Sequence, residues 1–445
     1  MYQVVEQVKL EFPAFLAQGQ ATAGAEWVID LLESKLAGRP IRAYFLAKTT
    51  NWLVQLQTPW QRVSTRLLPG AGRLFSAQLP LIFEVVITVQ YLHNQILDGK
   101  SGVTNRERIS RNLLAANLLK EKLYRYIDQE VPLWARSIIA QAVRTSFELV
   151  DQGQFLEQTQ NIYSAYRDGQ PNWRQNMPTA VLDRVDLSAV KPFLDKLKND
   201  LPVMLHEQLD VYFHRMYLTC ASLFVEAVQL LGQLLKVPTQ RLQSVHQFSV
   251  CYGLMRQLVN DNADWIPTRF GLETKTKTAA DSFSDLRNTT LTLPLFFYLA
   301  EGQGGKIDYF LERQMCWSSA FEDPVFDEIL ESDALFKSVQ NTRILAELAL
   351  AYLPADDLDA QFLADSCEIV HWNKFLAPCL KHPAYQGYRK KAYRKRTRQL
   401  ILELRRERTH QPEAIWRQKS EGFWGVPQIP QPVIPRLHAL LRQTS

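Results

Sequence analysis

The chain has 445 residues, 46% of them hydrophobic and 22% charged, a globular balance that excludes a fully disordered or fibrous protein. Its net charge of +5 is uneven: residues 381–408 hold eleven Lys and Arg against two Glu, so the remainder is net acidic and only a basic tail needs explaining. The five cysteines, Cys220, Cys251, Cys316, Cys367 and Cys379, show no metal-type spacing and read as reduced core thiols. Met1 to Lys9 mixes polar residues where a signal peptide needs an apolar run, and the longest apolar stretch, near Leu79 to Val89, is cut by Glu84. A soluble, cytoplasmic protein is expected.

Taken in order, Trp27 to Leu36, Leu113 to Ile127, Ala140 to Val150, Leu218 to Leu235 and Ile344 to Leu353 place apolar residues at spacings of three and four, the period of a helix with one buried face. Strand alternation with hairpin turns is scarce and no βαβ rhythm occurs, so the chain is predicted to be all-α. Breaks at Pro69 to Gly72, Asp168 to Pro178, Val237-Pro238, Arg269 to Ala280, Gly302 to Gly305 and Pro354 to Asp359 are short enough to be inter-helical loops. One helical domain over 1–355 is expected, with an insertion at about 158–211 marked by Pro171, Trp173, Pro178 and Pro192. The extension 356–445 follows, with its basic segment and a tail rich in Pro and Trp.

Two polar clusters stand out on otherwise apolar helices. In Gln257-Leu258-Val259-Asn260-Asp261-Asn262-Ala263-Asp264, the residues Asn260, Asp261 and Asp264 fall at i, i+1 and i+4, which puts Asn260 and Asp264 on one face. The apolar helix Phe83 to Leu92 runs into His93-Asn94-Gln95-Ile96-Leu97-Asp98, where Asn94, Gln95 and Asp98 repeat the arrangement. Hard oxygen donors projecting from helices are what Mg²⁺ takes when it also holds substrate phosphates, and two such clusters in an all-α bundle are the pattern of a site built between helices. No Gly-rich phosphate loop, Gly-x-Ser-x-Gly elbow or His-Glu-x-x-His competes.

With Asp285-Leu286-Arg287-Asn288-Thr289-Thr290-Leu291-Thr292-Leu293-Pro294 added, the sequence resembles the polyprenyl-diphosphate synthases of the isoprenoid synthase superfamily. Their hallmarks are His-Asp-Asp-x-x-Asp, Gln-x-x-Asp-Asp-x-x-Asp and Asp-Leu-x-x-Gly-Lys-x-Thr-x-Pro. Three further echoes keep the family's order: Gly38-Arg39-Pro40-Ile41-Arg42, Gly153-Gln154-Phe155-Leu156-Glu157 and Thr219-Cys220-Ala221-Ser222-Leu223-Phe224. The resemblance covers about 25–310 and implies a helical bundle with a central cavity. It also implies Mg²⁺ held by Asn94, Asp98, Asn260, Asp261 and Asp264, with Asp98 and Asp264 essential to catalysis. A prenyl diphosphate would be gripped by Arg39, Arg42, Lys100, Lys275, Lys277 and Gln257. The metal would draw charge onto the diphosphate as the carbon–oxygen bond ionises in a dry cavity.

The departures are informative. Asn94, Gln95 and Asn260 are neutral where aspartates are usual, and Thr219 and Thr290 stand where the family keeps diphosphate-binding lysines. Asn260-Asp261 also resembles the start of the second metal motif of terpene cyclases, with Thr268 where a glutamate belongs. A divergent terpene synthase or prenyltransferase is therefore expected, the alternative being a synthase-like subunit or binding protein that has lost the chemistry. Expected partners are a prenyl diphosphate, a second copy of the chain and, through the basic segment 381–408, a membrane surface; nucleic acid is not expected.

Overall fold

A computed structural model describes residues 2–18, 30–32, 41–97, 106–159, 174, 177–264, 284–288, 290–301, 332 and 334–352. Arg39, Asp98, Lys100, Thr268, Lys275, Lys277 and the basic segment lie outside the described residues. Every described element is helical, as the periodicity predicts. Those of eight residues or more are, in chain order, α1 (Tyr2–Leu16), α2 (Ile41–Leu56), α3 (Pro59–Leu67), α4 (Leu79–Leu97), α5 (Arg106–Glu130), α6 (Leu133–Thr159), α7 (Lys191–Asp200), α8 (His206–Met216), α9 (Ser222–Leu234), α10 (Thr239–Asp264), α11 (Leu293–Ala300) and α12 (Ala334–Ala351).

The chain divides into two compact units, one from 1–151 and 222–249, the other from 152–221 and from 250 onward. In the first unit α4 is the central element, with α2 and α5 packed along it and twelve of its nineteen residues buried. Its buried Glu84 is held because a carboxylate oxygen accepts the Ala43 backbone N–H at 2.8 Å, satisfying one of the open donors at the start of α2. Phe45 on α2 meets Phe224 edge-on, with ring centroids 4.9 Å apart, and stacks on Phe248 at 6.3 Å. By length and composition the stretches Ala71–Leu97 and Val203–Leu234 could cross a membrane, but 78% of the most apolar window of each is buried inside the protein, the condition of core helices.

In the second unit two glycines set the packing. A wide helical turn, Tyr217–Ala221, joins α8 to α9. A Cβ at Gly253 of α10 would lie 2.4 Å from the Ala221 Cα, and one at Gly153 of α6 would lie 2.7 Å from the Thr219 Cγ2. Only glycine lets both helices come this close to the turn. The same α10 is tied to α12 by Asn262, whose amide donates to Thr342 Oγ1 at 2.9 Å and accepts from Ser338 Oγ at 2.6 Å.

Candidate functional site

In the second unit, α8 brings Tyr212 and Arg215, three residues apart on one face, against Asp261 of α10. Asp261 is 1% exposed. Its Oδ2 accepts from the Tyr212 hydroxyl at 2.5 Å, and its Oδ1 accepts from the Gln257 side-chain amide, one helical turn back, at 2.8 Å. Arg215 is itself buried, and its guanidinium lies 2.5 Å from a Glu157 oxygen at the end of α6 and 5.2 Å from the Tyr212 ring centre. Burial pushes the Asp261 carboxyl above the usual carboxylate range, an effect opposed by the Arg215 charge and by the two donated hydrogen bonds. Burial and the neighbouring Asp261 together hold the Tyr212 phenol well above its ordinary value, so it remains a donor.

Asp264, one turn on, is also 1% exposed. Its Oδ1 accepts from Ser284 Oγ at 2.9 Å and its Oδ2 from the Asp285 backbone N–H at 3.1 Å. The carboxylate thereby docks the helical turn Ser284–Arg287 onto the end of α10, and the turn closes when the Thr290 N–H donates to the Asp285 carbonyl at 2.8 Å. Asn260, by contrast, faces solvent. Of the two threonines in the family's lysine places, Thr219 turns its hydroxyl back to the Arg215 carbonyl at 2.9 Å, and Thr290 is buried.

In the first unit, the Gln95 side-chain oxygen accepts from Asn112 of α5 at 3.1 Å while its amide donates to the Tyr91 hydroxyl at 2.6 Å. Asn94 Oδ1 is buried without a hydrogen-bond partner, and so is Arg42 Nε in the first turn of α2. His93, half-buried, lies in the field of Asp151 on α6 and Lys120 on α5; burial lowers the imidazole's proton affinity and raises that of Asp151.

These residues bear on the implied Mg²⁺. The ion keeps a near-octahedral shell, gives up water reluctantly and usually retains several waters. Every carboxylate oxygen of Asp261 and Asp264 accepts a hydrogen bond from a protein donor, neither residue reaches solvent, and Arg215 already supplies the positive charge beside Asp261. Among the described residues no three His, Cys, Asp or Glu side chains are grouped to hold a metal. The described part of the second motif does not fit a hydrated Mg²⁺. Sequence reasoning missed Arg215, although an arginine inside the apolar run Val211 to Phe224 signals a buried cation in need of an acid.

No protein-family model and no curated protein matches the sequence significantly. Solved structures do match. A decaprenyl diphosphate synthase from Rhodobacter capsulatus aligns with a TM-score of 0.55 and 14% identity over 83% of this chain and 96% of its own. A polyprenyl synthase from Caulobacter crescentus, complexed with calcium and isoprenyl diphosphate, gives 0.54 and 16% over 83% and 97%. A heptaprenyl diphosphate synthase from Staphylococcus aureus gives 0.53 and 14% over 83% and 98%. The chain has the isoprenoid synthase fold. Within that fold α4 and α10 carry the two altered motifs, and the ordered motifs of the sequence had led to the same architecture. At these identities the likeness establishes the isoprenoid synthase fold and leaves the chemistry to the residues.

Proposed function

We propose that this chain is a non-catalytic member of the isoprenoid synthase fold that binds a prenyl diphosphate without metal-assisted ionisation at its second motif. The observation that carries the reading is the closed network around Asp261 and Asp264, in which protein hydrogen bonds and the Arg215 guanidinium meet the need that metal ions would otherwise meet. The ligand class is supported by the Caulobacter neighbour, whose structure holds isoprenyl diphosphate, and by the names of the other neighbours as diphosphate synthases. One feature of the first unit suits such a ligand: Arg42 keeps a buried N–H without a partner, a donor for an anionic oxygen.

The terpene synthase or prenyltransferase reading requires a hydrated ion to reach Asp261 and Asp264, each of which is 1% exposed. Incubating the full chain with farnesyl, geranylgeranyl and longer prenyl diphosphates plus Mg²⁺, with and without isopentenyl diphosphate, separates the two. Binding without diphosphate release, unchanged by EDTA, is expected. Release without the second substrate would establish a cyclase, and release only with it an elongating synthase; either would overturn the proposal. Arg42→Ala is expected to weaken binding by about tenfold or more, the loss of one charge-assisted contact.

A further inference from the structure

Helix α3 sits on the first unit the wrong way round for a core helix. It is well formed: Thr58 and Gln61 make a reciprocal cap, with Gln61 N–H to Thr58 Oγ1 at 3.3 Å and Thr58 N–H to Gln61 Oε1 at 2.9 Å, and Pro59 opens the first turn. None of its nine residues is buried. Its polar side is the one fastened to the protein: Gln61 donates to the Lys236 carbonyl at 3.1 Å, Thr65 Oγ1 accepts from the buried Gln57 at 3.0 Å, and Arg62 donates to the Gln55 and Gln57 carbonyls at 3.3 Å. Its apolar side faces out. Trp60, Val63 and Leu67, at spacings of three and four, are 82%, 48% and 76% exposed.

The stripe continues beyond the helix. Gly70, in the left-handed region at φ 74°, brings the following turn against Pro132, and the Trp134 indole donates to the Pro69 carbonyl at 3.0 Å, so the start of α6 adjoins the end of α3. There Leu133 is 80% exposed. The charge on this face has one sign. Residues 58–68 contain no acid; Arg62 is tied back to the Gln55 and Gln57 carbonyls, Arg66 is exposed, and Arg73 pairs Glu11 at 2.7 Å and Glu130 at 3.3 Å.

We infer that α3, with Leu133, is a docking surface for an anionic lipid bilayer, lying in the interface with Trp60, Val63, Leu67 and Leu133 among the acyl chains and the exposed Arg66 at the head groups. A helix held by its polar side, with Trp60, Leu67 and the nearby Leu133 outward and the exposed Arg66 flanking them, matches a bilayer's order of apolar interior and anionic surface. A second copy of the chain would bring a second Arg66 and no acid of α3 to the face, so its charge complements the face less well.

Cosedimentation of the full chain with phosphatidylcholine vesicles, alone or containing phosphatidylglycerol, tests the inference. Binding to the anionic vesicles is expected, falling roughly tenfold or more in Trp60→Ser/Leu67→Ser although residues 381–408 are intact, and showing a weaker preference for phosphatidylglycerol in Arg66→Glu. The substituted residues are exposed, so circular dichroism and the unfolding midpoint should match the parent chain. Three results would overturn it: no binding by the parent chain, binding unchanged by the double substitution, or a change in sedimentation coefficient that places the face between two copies.

Discussion

At the scale of single residues, the site turns on Arg215. A buried guanidinium is tolerable only with acids around it, and here Glu157 touches it while Asp261 and Asp285 add to the field that holds its proton firmly. Replacing Arg215 with Met leaves the half-buried Glu157 without its partner and removes the cation beside the buried Asp261, and a loss of about 3 kcal/mol is expected in urea unfolding. Adding Glu157→Leu should restore part of that loss, whereas a neutral Arg215→Met would remove the residue from the network. His214 gives a second prediction. Burial depresses its imidazole below the usual 6.5, opposed by the hydrogen bond from Nδ1 to the Asp210 carbonyl at 2.8 Å. The unfolded chain therefore binds the proton first as pH falls, so the stability is fully present above 6.5 and is lost between 6.5 and the lower folded value. The unfolding midpoint of the parent chain should fall more than that of His214→Gln between about pH 7.5 and about pH 5.5. The sequence put Asn260 and Asp264 on one helix face with Asp261 to one side, whereas the structure buries Asp261 with Asp264 and turns Asn260 to solvent, and the spacing did not show which way their bonds run. Partners such as Tyr212 and Ser284 lie 49 and 20 positions away, and no local spacing reports them.

At the scale of elements, the close approach of α6 and α10 to the turn Tyr217–Ala221 decides where Arg215 and Asp261 meet. Gly253→Ala puts a methyl 2.4 Å from the Ala221 Cα, backbone that cannot swing aside, and about 2–3 kcal/mol of destabilisation is expected from denaturant unfolding. An unchanged midpoint would show that the contact relaxes freely. Thr58→Ala removes the cap of α3 and should cost about 1 kcal/mol. The helices over Leu113 to Ile127, Ala140 to Val150 and Ile344 onward follow their apolar period, and they form where it indicates. Periodicity reports that a helix has an apolar stripe but not the side from which it is anchored. For α3 that side is fixed by Gln57 and Lys236, one outside the helix and the other in a different part of the chain.

At the scale of the whole molecule, the fold was legible because six short motifs keep their family order along the chain, and order constrains topology even where each motif has decayed. The candidate site was less legible, because a metal site depends on whether a hydrated ion can reach its carboxylates, and the sequence shows carboxylates without their burial. Asp261 and Asp264 are buried and accept hydrogen bonds from Tyr212, Gln257, Ser284 and the Asp285 backbone. The most direct test is electron paramagnetic resonance of Mn²⁺, as a stand-in for Mg²⁺, titrated into the full chain with a prenyl diphosphate present. The free-ion signal should be no smaller than that of the diphosphate alone and should not change in Asp264→Asn. Capture of Mn²⁺ by the parent chain, with its release in Asp264→Asn, would contradict the account.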